Sequence, residues 1–280
     1  AMGRPREQIP YCKANRAMNG VDEPLLSLAA GVLPEFPPDV IVASAVAAGY
    51  PASGIWFDPD TWTAATTRAV RTALGAHVAL DIEVVWIRAG REVTDAARRL
   101  IAAGGELGAR NVLIVSANPD PLETRAQFAA LCELAAAAGM RAVFEFLMIS
   151  AVRTLDEAAA IVRDVAHPAG GVLIDALHLQ RCGAAPAAVA ALEPAWLPYA
   201  QLCDAPLALP PDATYLSDAV DGRSAPGEGQ LPLRELLRAL PPGIPQSLEV
   251  LSLDYRTRYP DPVARARAVL EQTRRFLGTG

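Results

Sequence analysis

Short apolar runs alternate with segments of helical period along almost the whole chain, and this alternation restricts the fold more than any other feature. The runs are apolar throughout, which is typical of parallel strands buried on both faces, and the segments between them are rich in Ala, Leu and Arg. Such an order predicts a parallel sheet with crossover helices. The predicted strands are Leu26–Ala30, Gly54–Phe57, Val78–Val85, Asn111–Ser116, Ala142–Leu147, Gly171–Asp175, Tyr199–Cys203 and Gln246–Leu251.

Local helix signals agree with this alternation. Thr94 and Thr154 have the position of N-caps followed by acids, and Gly49, Gly75 and Gly139 stand where helices should end. Helices are predicted near residues 39–49, 61–74, 94–107, 121–139, 155–166, 184–193, 232–239 and 260–277. A chain of 280 residues suits one α/β barrel of roughly 250 residues. We therefore predict the α/β class and a (β/α)8 TIM barrel.

The chain divides into an irregular N-terminal segment, residues 1–24, and one barrel domain, residues 25–280. Ala1-Met2-Gly3 resembles a cloning remnant. Leu25–Leu33 follows several basic residues, as the apolar part of a signal peptide does, but acids precede it directly and prolines follow it, so a first barrel strand is the better interpretation. No apolar run reaches the roughly 20 residues of a membrane helix.

Charge and cysteine content restrict the partners and the compartment. The net charge is −6 and no cluster of Lys or Arg occurs, which argues against a nucleic-acid partner, because phosphates require a basic face. The four cysteines lie far apart, which favours reduced thiols over disulfides or a cysteine zinc site. We expect a cytoplasmic protein with a small-molecule substrate and no membrane partner, and homo-oligomer formation is left open.

Polar residues interrupt four successive predicted strands. Glu145, Asp175, Gln201 and Glu249 each occupy one of the fifth to eighth strands, and His178 follows Asp175 in the pattern D-x-x-H. A single strand-end acid is often a helix cap or an ion-pair partner. Three carboxylates on neighbouring strands would repel one another, however, and a divalent cation would relieve that repulsion. Oxygen ligands favour Mg, Mn or Co, so one such metal per chain is the predicted cofactor.

These motifs, taken in their order, resemble the xylose-isomerase-like barrel superfamily, the sugar phosphate isomerase/epimerase group. The resemblance covers the chain from about Leu25 to its end. The segments that show the resemblance are Ser27-Leu28-Ala29-Ala30-Gly31, the Glu145 strand, Ile174-Asp175-Ala176-Leu177-His178, Gln201-Leu202-Cys203-Asp204-Ala205, Pro226-Gly227-Glu228-Gly229 and Leu248-Glu249-Val250.

The resemblance implies roles for particular residues. It places the metal on Glu145, Asp175, Gln201 and Glu249, with the two glutamates also acting as catalytic acid and base on opposite faces of a substrate carbon. It implies that His178 is catalytic and contacts substrate without being a metal ligand.

Further candidates surround this set. The resemblance makes Arg223 a substrate-binding residue. Glu83 and Trp56, on the third and second predicted strands, are further substrate-binding candidates, with packing as the alternative. The connection from Asp204 to Leu231 is long, and long loops on the active face of a barrel are usually functional.

Three functions stay open at this point. The first is a metal-dependent isomerase or epimerase of a small polyhydroxylated carbonyl compound, acting through an enediolate or enolate. The second is a lyase, because many epimerases of the family have His where this chain has Gln201, whereas glutamine resembles the 3-dehydroshikimate dehydratases. The third is a non-catalytic metal-binding barrel. A Schiff-base mechanism is excluded, since the sole lysine, Lys13, precedes the barrel.

Overall fold

The computed structural model describes residues 24–90 and 92–279, so that the predicted N-terminal segment, with Cys12 and Lys13, lies outside the described residues apart from Pro24. Parallel strands form one sheet in the order β6-β5-β4-β3-β2-β1-β9-β8-β7. They are β1 Leu26–Leu28, β2 Ala52–Trp56, β3 Val78–Ile87, β4 Asn111–Ser116, β5 Arg141–Phe144, β6 Gly170–Val172, β7 Ile174–Asp175, β8 Ala200–Leu202 and β9 Gln246–Leu248.

The nine strands make an eight-stranded barrel, because β6 and β7 are two halves of one barrel strand. β6 pairs with β5 on one side, and β7 pairs with β8 on the other. Leu173 lies between the halves and still donates its N–H to Phe144 O over 2.9 Å. The sheet is thereby nearly closed, and the predicted (β/α)8 TIM barrel is confirmed.

Helices follow the strands as predicted, with three additions. They are α1 Pro38–Ala48, α2 Ala64–Leu74, α3 Asp95–Leu107, α4 Pro121–Ala137, α5 Leu155–Val165, α6 Ala176–Arg181, α7 Pro186–Ala190, α8 Tyr215–Asp221, α9 Leu233–Ala239, α10 Leu253–Arg258 and α11 Pro262–Leu277. The helices α6, α8 and α10 were not predicted. Each has six or seven residues and lies between a barrel strand and the helix that the sequence predicted after that strand.

The predicted helix boundaries have the expected chemistry. Thr94 and Thr154 accept the N–H of Ala97 and Glu157 at the starts of α3 and α5. Gly49 ends α1 with a φ of 90°, which an L side chain rarely adopts. These local signals were readable because capping involves residues only three positions apart.

Two apolar layers hold the barrel together. The larger packs the outer faces of the strands against the helices. The smaller fills the barrel interior, where Leu80, Leu113, Val143, Leu173 and Tyr199 meet. Interior side chains nearer the carboxyl ends of the strands are polar and buried. The apolar interior therefore forms the floor of a polar cavity, which is where barrels carry their sites.

Within the described ranges, no helix has both the length and the apolar content needed to cross a membrane. Cys132, Cys182 and Cys203 are free thiols.

Candidate functional site

Four of the predicted site residues converge at the carboxyl ends of the strands. Asp175 ends β7 and is paired in register with Gln201 of β8. Glu145 and Glu249 lie one residue beyond β5 and β9, not within strands as predicted, but their N–H groups still bond to Ile114 O and Leu202 O. All four side chains are buried. The fold thus brings together residues that are up to 104 positions apart in the sequence, Glu145 and Glu249.

Asp175 is the most constrained of these acids. Its Oδ1 accepts the N–H of His178 over 2.9 Å, which caps α6, and its Oδ2 accepts from Arg223 Nη1 over 2.7 Å. Burial acts to raise the pKa of Asp175, but Arg223 and His178 outweigh it and hold that pKa well below its usual range. Asp175 is therefore an anion with a fixed orientation.

One ligand atom each of Glu145, Asp175 and His178 lies within 4.8 Å of the others, a spacing that suits a metal ion. His178 Nε2 is 3.7 Å from Glu145 Oε1. The sequence predicted His178 on the substrate side of the metal, and the structure places it against two of the predicted ligands. Its assignment as a substrate contact stays a prediction.

His178 is held in place from two sides. Its Nδ1 is 2.5 Å from the hydroxyl of Tyr215, and its Nε2 is 3.3 Å from Arg223 Nη2. Burial lowers the pKa of His178 to about 4, although Asp175 acts against this shift. The imidazole is therefore neutral near pH 7, the form that can bind a metal or accept a hydrogen bond.

The other acids of the site have raised pKa values. Burial, with added repulsion from Asp175, raises the pKa of Glu145 to about 8. Burial also raises the pKa of Glu249 and of Glu83 well above the usual range of a glutamate. Each shift reflects a carboxylate that has lost water without gaining enough positive charge.

The donor set fits a divalent cation. Within the part of the chain that the structure describes, neither the oxygen nor the nitrogen of the Gln201 side chain has a hydrogen-bond partner, although the residue is fully buried. Buried amides normally have partners. A cation bound to the Gln201 oxygen and to the neighbouring carboxylates would satisfy this atom and offset the repulsion among the acids.

Sequence reasoning overlooked one acid of the interior, Asp81, two residues before Glu83 on β3. It is fully buried, burial raises its pKa to about 6, and the hydroxyl of Tyr199 faces it. Gly54 makes room for both acids, because a Cβ there would lie 2.6 Å from Asp81 Oδ1 and 3.2 Å from Glu83 Oε1. The signal was readable: Asp81 and Glu83 are acids at alternate positions of an apolar strand, so they face the same side.

Trp56 and Arg223 define the surroundings of the acids. Trp56 ends β2, pairs in register with Glu83 and is 45% exposed, so it lies at the mouth of the barrel. Arg223 is buried among the acids. A cavity of about 600 Å³ opens beside it, between the loops that follow β8 and β9. Its lining includes Asp221, Arg223, Ser224, Glu228, Ser252 and Asp254.

Solved structures share this architecture. A xylose isomerase-like TIM barrel/4-hydroxyphenylpyruvate dioxygenase fusion protein superimposes with a TM-score of 0.76 at 23% identity over 91% of this chain, which spans 44% of the fusion protein. The IOLI protein, solved with a zinc atom, has a TM-score of 0.76 at 16% identity, with 90% of this chain and 98% of that chain covered.

Two further neighbours have activities in their names. The probable 3-DHS dehydratase AsbF from Bacillus anthracis has a TM-score of 0.68 at 16% identity, covering 88% of this chain and 98% of its own. D-Psicose 3-epimerase from Clostridium cellulolyticum H10 has a TM-score of 0.65 at 12% identity, covering 90% and 99%. These likenesses establish the shared fold.

No curated protein matches this sequence. A family model described as the xylose isomerase-like TIM barrel matches residues 43–275, most of the chain and all of the site. The expected resemblance is thereby confirmed, and the chain belongs to the xylose isomerase-like TIM barrel family.

Proposed function

We propose that the protein is a divalent-metal-dependent isomerase or epimerase of a small polyhydroxylated carbonyl compound. The observation that carries this proposal is the placement of three buried acids and one unpartnered buried amide at the carboxyl ends of neighbouring barrel strands. They are Glu145, Asp175, Glu249 and Gln201. Buried acids with raised pKa values in a cleft favour catalysis over a structural role.

The metal in this proposal is held by Glu145, Asp175, Gln201 and Glu249. Hard or borderline ions such as Mn, Mg and Co fit their oxygen atoms, and the zinc atom of the IOLI protein supports a divalent ion. Such an ion would polarise a substrate carbonyl as a Lewis acid.

The two glutamates supply acid–base chemistry. The barrel strands that carry Asp175 and Gln201 separate Glu145 from Glu249, so the glutamates approach a bound substrate from different sides. One carboxylate removes the proton from the carbon next to the carbonyl, and the other returns a proton to the opposite face of the resulting enolate. Burial acts to raise the pKa of Glu145 above that of an exposed glutamate, which makes its carboxylate a stronger base for this step.

Other residues orient the substrate. The neutral imidazole of His178 can hydrogen-bond a substrate hydroxyl or carbonyl oxygen, and Arg223 offers donors beside it. Glu83 can accept a hydrogen bond from a substrate hydroxyl on the β3 side of the site. Trp56 provides an apolar face at the mouth of the barrel.

A lyase is the second candidate, and Gln201 is the observation that favours it. Glutamine at this position resembles the 3-dehydroshikimate dehydratases, and the neighbour AsbF is named as a probable one. The first step would be the same proton removal. The outcome differs because a hydroxyl then leaves from the β-carbon and a conjugated double bond forms.

Incubation of the Mn- or Mg-loaded protein in D₂O with ketoses, inososes and dehydroshikimate tests the proposal. We expect deuterium to enter the α-carbon of one compound class without a new absorbance. A conjugated absorbance would make the protein a lyase. If no compound exchanges, reacts or shows a primary isotope effect, the barrel binds metal without this chemistry and the proposal fails.

Replacement of the bases gives a second, quantitative test. Glu145→Gln or Glu249→Gln should lower turnover by about 10²–10⁴-fold, the usual contribution of general-base catalysis. The amide retains a ligand oxygen but cannot accept the proton. Turnover that survives both substitutions in a metal-loaded protein would exclude these glutamates as bases.

A further inference from the structure

A buried guanidinium lies among the acids of the site. Arg223 Nη1 is 2.7 Å from Asp175 Oδ2 and 3.4 Å from Glu249 Oε2, and the arginine side chain is only 3% exposed. Nη1 also lies 3.4 Å from the main-chain oxygen of Glu249. An arginine is always protonated in a protein, so this is a fixed positive charge between two carboxylates.

The position of Arg223 is set by the backbone around it. Its Nε donates to Ala219 O in α8 over 2.7 Å, and its N–H donates to Leu251 O over 3.2 Å, just beyond Glu249. The guanidinium is thus fixed between α8 and the loop after β9. The contacts with Asp175 and Glu249 do not depend on a mobile surface side chain.

Both carboxyl groups that Arg223 contacts belong to the proposed metal ligands. A buried Asp175 anion without a partner would cost several kcal/mol, so the metal-free protein requires a cation beside it. A divalent ion bound to the same carboxylates would meet that requirement too. It would also be repelled by the guanidinium, since like charges a few ångströms apart interact strongly in a buried site.

We propose that Arg223 is the built-in counter-ion of the metal site: in the metal-free protein it neutralises Asp175 and lies against Glu249, and it weakens the binding of the divalent ion that shares these two carboxyl groups. The inference rests on the proposed metal site and is separate from substrate binding by Arg223. The coupling between Arg223 and the metal must be reciprocal. If the bound metal weakens the contacts of Arg223 with the carboxyl groups, then Arg223 weakens metal binding by the same free energy.

The experiment compares Arg223→Met with Arg223→Lys and with a matched control, Arg181→Met. Arg181 forms the other deeply buried arginine–carboxylate pair that the described residues show, with Nε 2.7 Å from Asp218 Oδ2. Asp218 is not among the proposed ligands. Thermal unfolding is measured with chelator and with Mn, and Mn affinity is measured by calorimetry.

We expect Arg223→Met to lose thermal stability in chelator and to regain most of it with Mn, while its Mn affinity rises by about tenfold or more. Arg223→Lys keeps the charge and should stay close to the original protein in both measurements. Arg181→Met should lose equal stability with and without Mn, and its Mn affinity should be unchanged.

Several results would overturn the inference. Equal losses of stability in both conditions with unchanged Mn affinity would make Arg223 a purely structural residue, and weaker Mn binding in Arg223→Met would make it a residue that orients the ligands. If the protein with the original sequence binds no Mn, both the metal site and the proposed function fail. Measuring this protein with chelator and with Mn detects that outcome before any variant is made.

A measurement on the original sequence covers the case in which Arg223→Met does not fold. The Nε–Hε resonance of Arg223 is assigned by its loss in Arg223→Lys and followed during titration with diamagnetic Mg. We expect it to shift in proportion to bound Mg. An unchanged resonance at saturation would overturn the inference, because shared carboxylates require the guanidinium to respond.

Discussion

At the residue scale, Gln201 distinguishes this site from an all-carboxylate cluster. Its side-chain amide is buried, and neither polar atom has a hydrogen-bond partner among the described residues. As a metal ligand, Gln201 would contribute one neutral oxygen. We predict that Gln201→His retains Mn binding, because an imidazole nitrogen can take the same coordination position.

Gln201→Leu is the matched control, since it removes the ligand atom and keeps similar bulk. Its Mn affinity should fall by about 10–100-fold or more, the loss that even an outer contact of a metal site can cause. Calorimetric titration of both folded variants provides the comparison. Loss of Mn binding in Gln201→His, or its retention in Gln201→Leu, would show that Gln201 is not a ligand.

At the scale of elements, the short helix α8 links the long loop after β8 to the site. Its first residue, Tyr215, contacts His178 Nδ1 through the hydroxyl and stacks on the ring at a centroid distance of 5.7 Å. Tyr215→Phe keeps the ring and removes the hydroxyl. We predict a fall in kcat of about 10–100-fold, as for other contacts that orient a functional histidine, with Mn affinity unchanged.

Tyr259→Phe removes a hydroxyl that faces Arg258, away from the acids, and should leave kcat unchanged. Steady-state kinetics on a substrate identified by deuterium exchange would separate the two variants. An unaltered kcat in Tyr215→Phe would mean that the Arg223 contact at Nε2 is enough to orient the imidazole of His178.

Strand β2 is shaped by the acids beside it. The φ of Gly54 lies outside the left-handed region, so alanine there would normally stabilise a strand. Its Cβ, however, would lie 2.6 Å from Asp81 Oδ1 and 3.1 Å from Ala30 N. We predict that Gly54→Ala lowers the free energy of unfolding by about 1–3 kcal/mol, as overpacking usually does. Gly170→Ala, whose Cβ would meet only one atom closer than 3.4 Å, should cost less in the same urea titration.

At the scale of the whole molecule, the last helix joins the first loop and completes the helical layer. Arg265 of α11 is buried, donates to Val32 O and Tyr259 O, and pairs with Glu35 over 2.6 Å. We predict that Arg265→Ala lowers the free energy of unfolding by about 2–4 kcal/mol, because it leaves buried carbonyl groups without donors.

Glu35→Gln should cost under about 1 kcal/mol, since Glu35 is 42% exposed and water can replace the arginine. Mn affinity should not change in either variant, because neither residue approaches the acids. Equal destabilisation by both changes would instead place the main interaction in the ion pair.

The sequence alone determined the barrel and the positions from which the acids enter it. Strand and helix periods are local, and a parallel barrel sends all of its strand ends to one face, so Glu145, Asp175, Gln201 and Glu249 had to converge. The break of a barrel strand at Leu173 and the short helices α6, α8 and α10 left no comparable pattern.

Only the tertiary structure decided how the charges of the site are balanced. The Arg223 guanidinium meets Asp175 across 48 positions and Glu249 across 26, and Tyr215 meets His178 across 37. The hydroxyl of Tyr199 faces Asp81 across the barrel interior. No sequence period encodes such contacts, because they depend on where a loop returns and which buried charges lack a partner there. The sequence therefore specified the four predicted ligand positions, and the packed barrel specified that the Arg223 guanidinium lies beside Asp175 and Glu249.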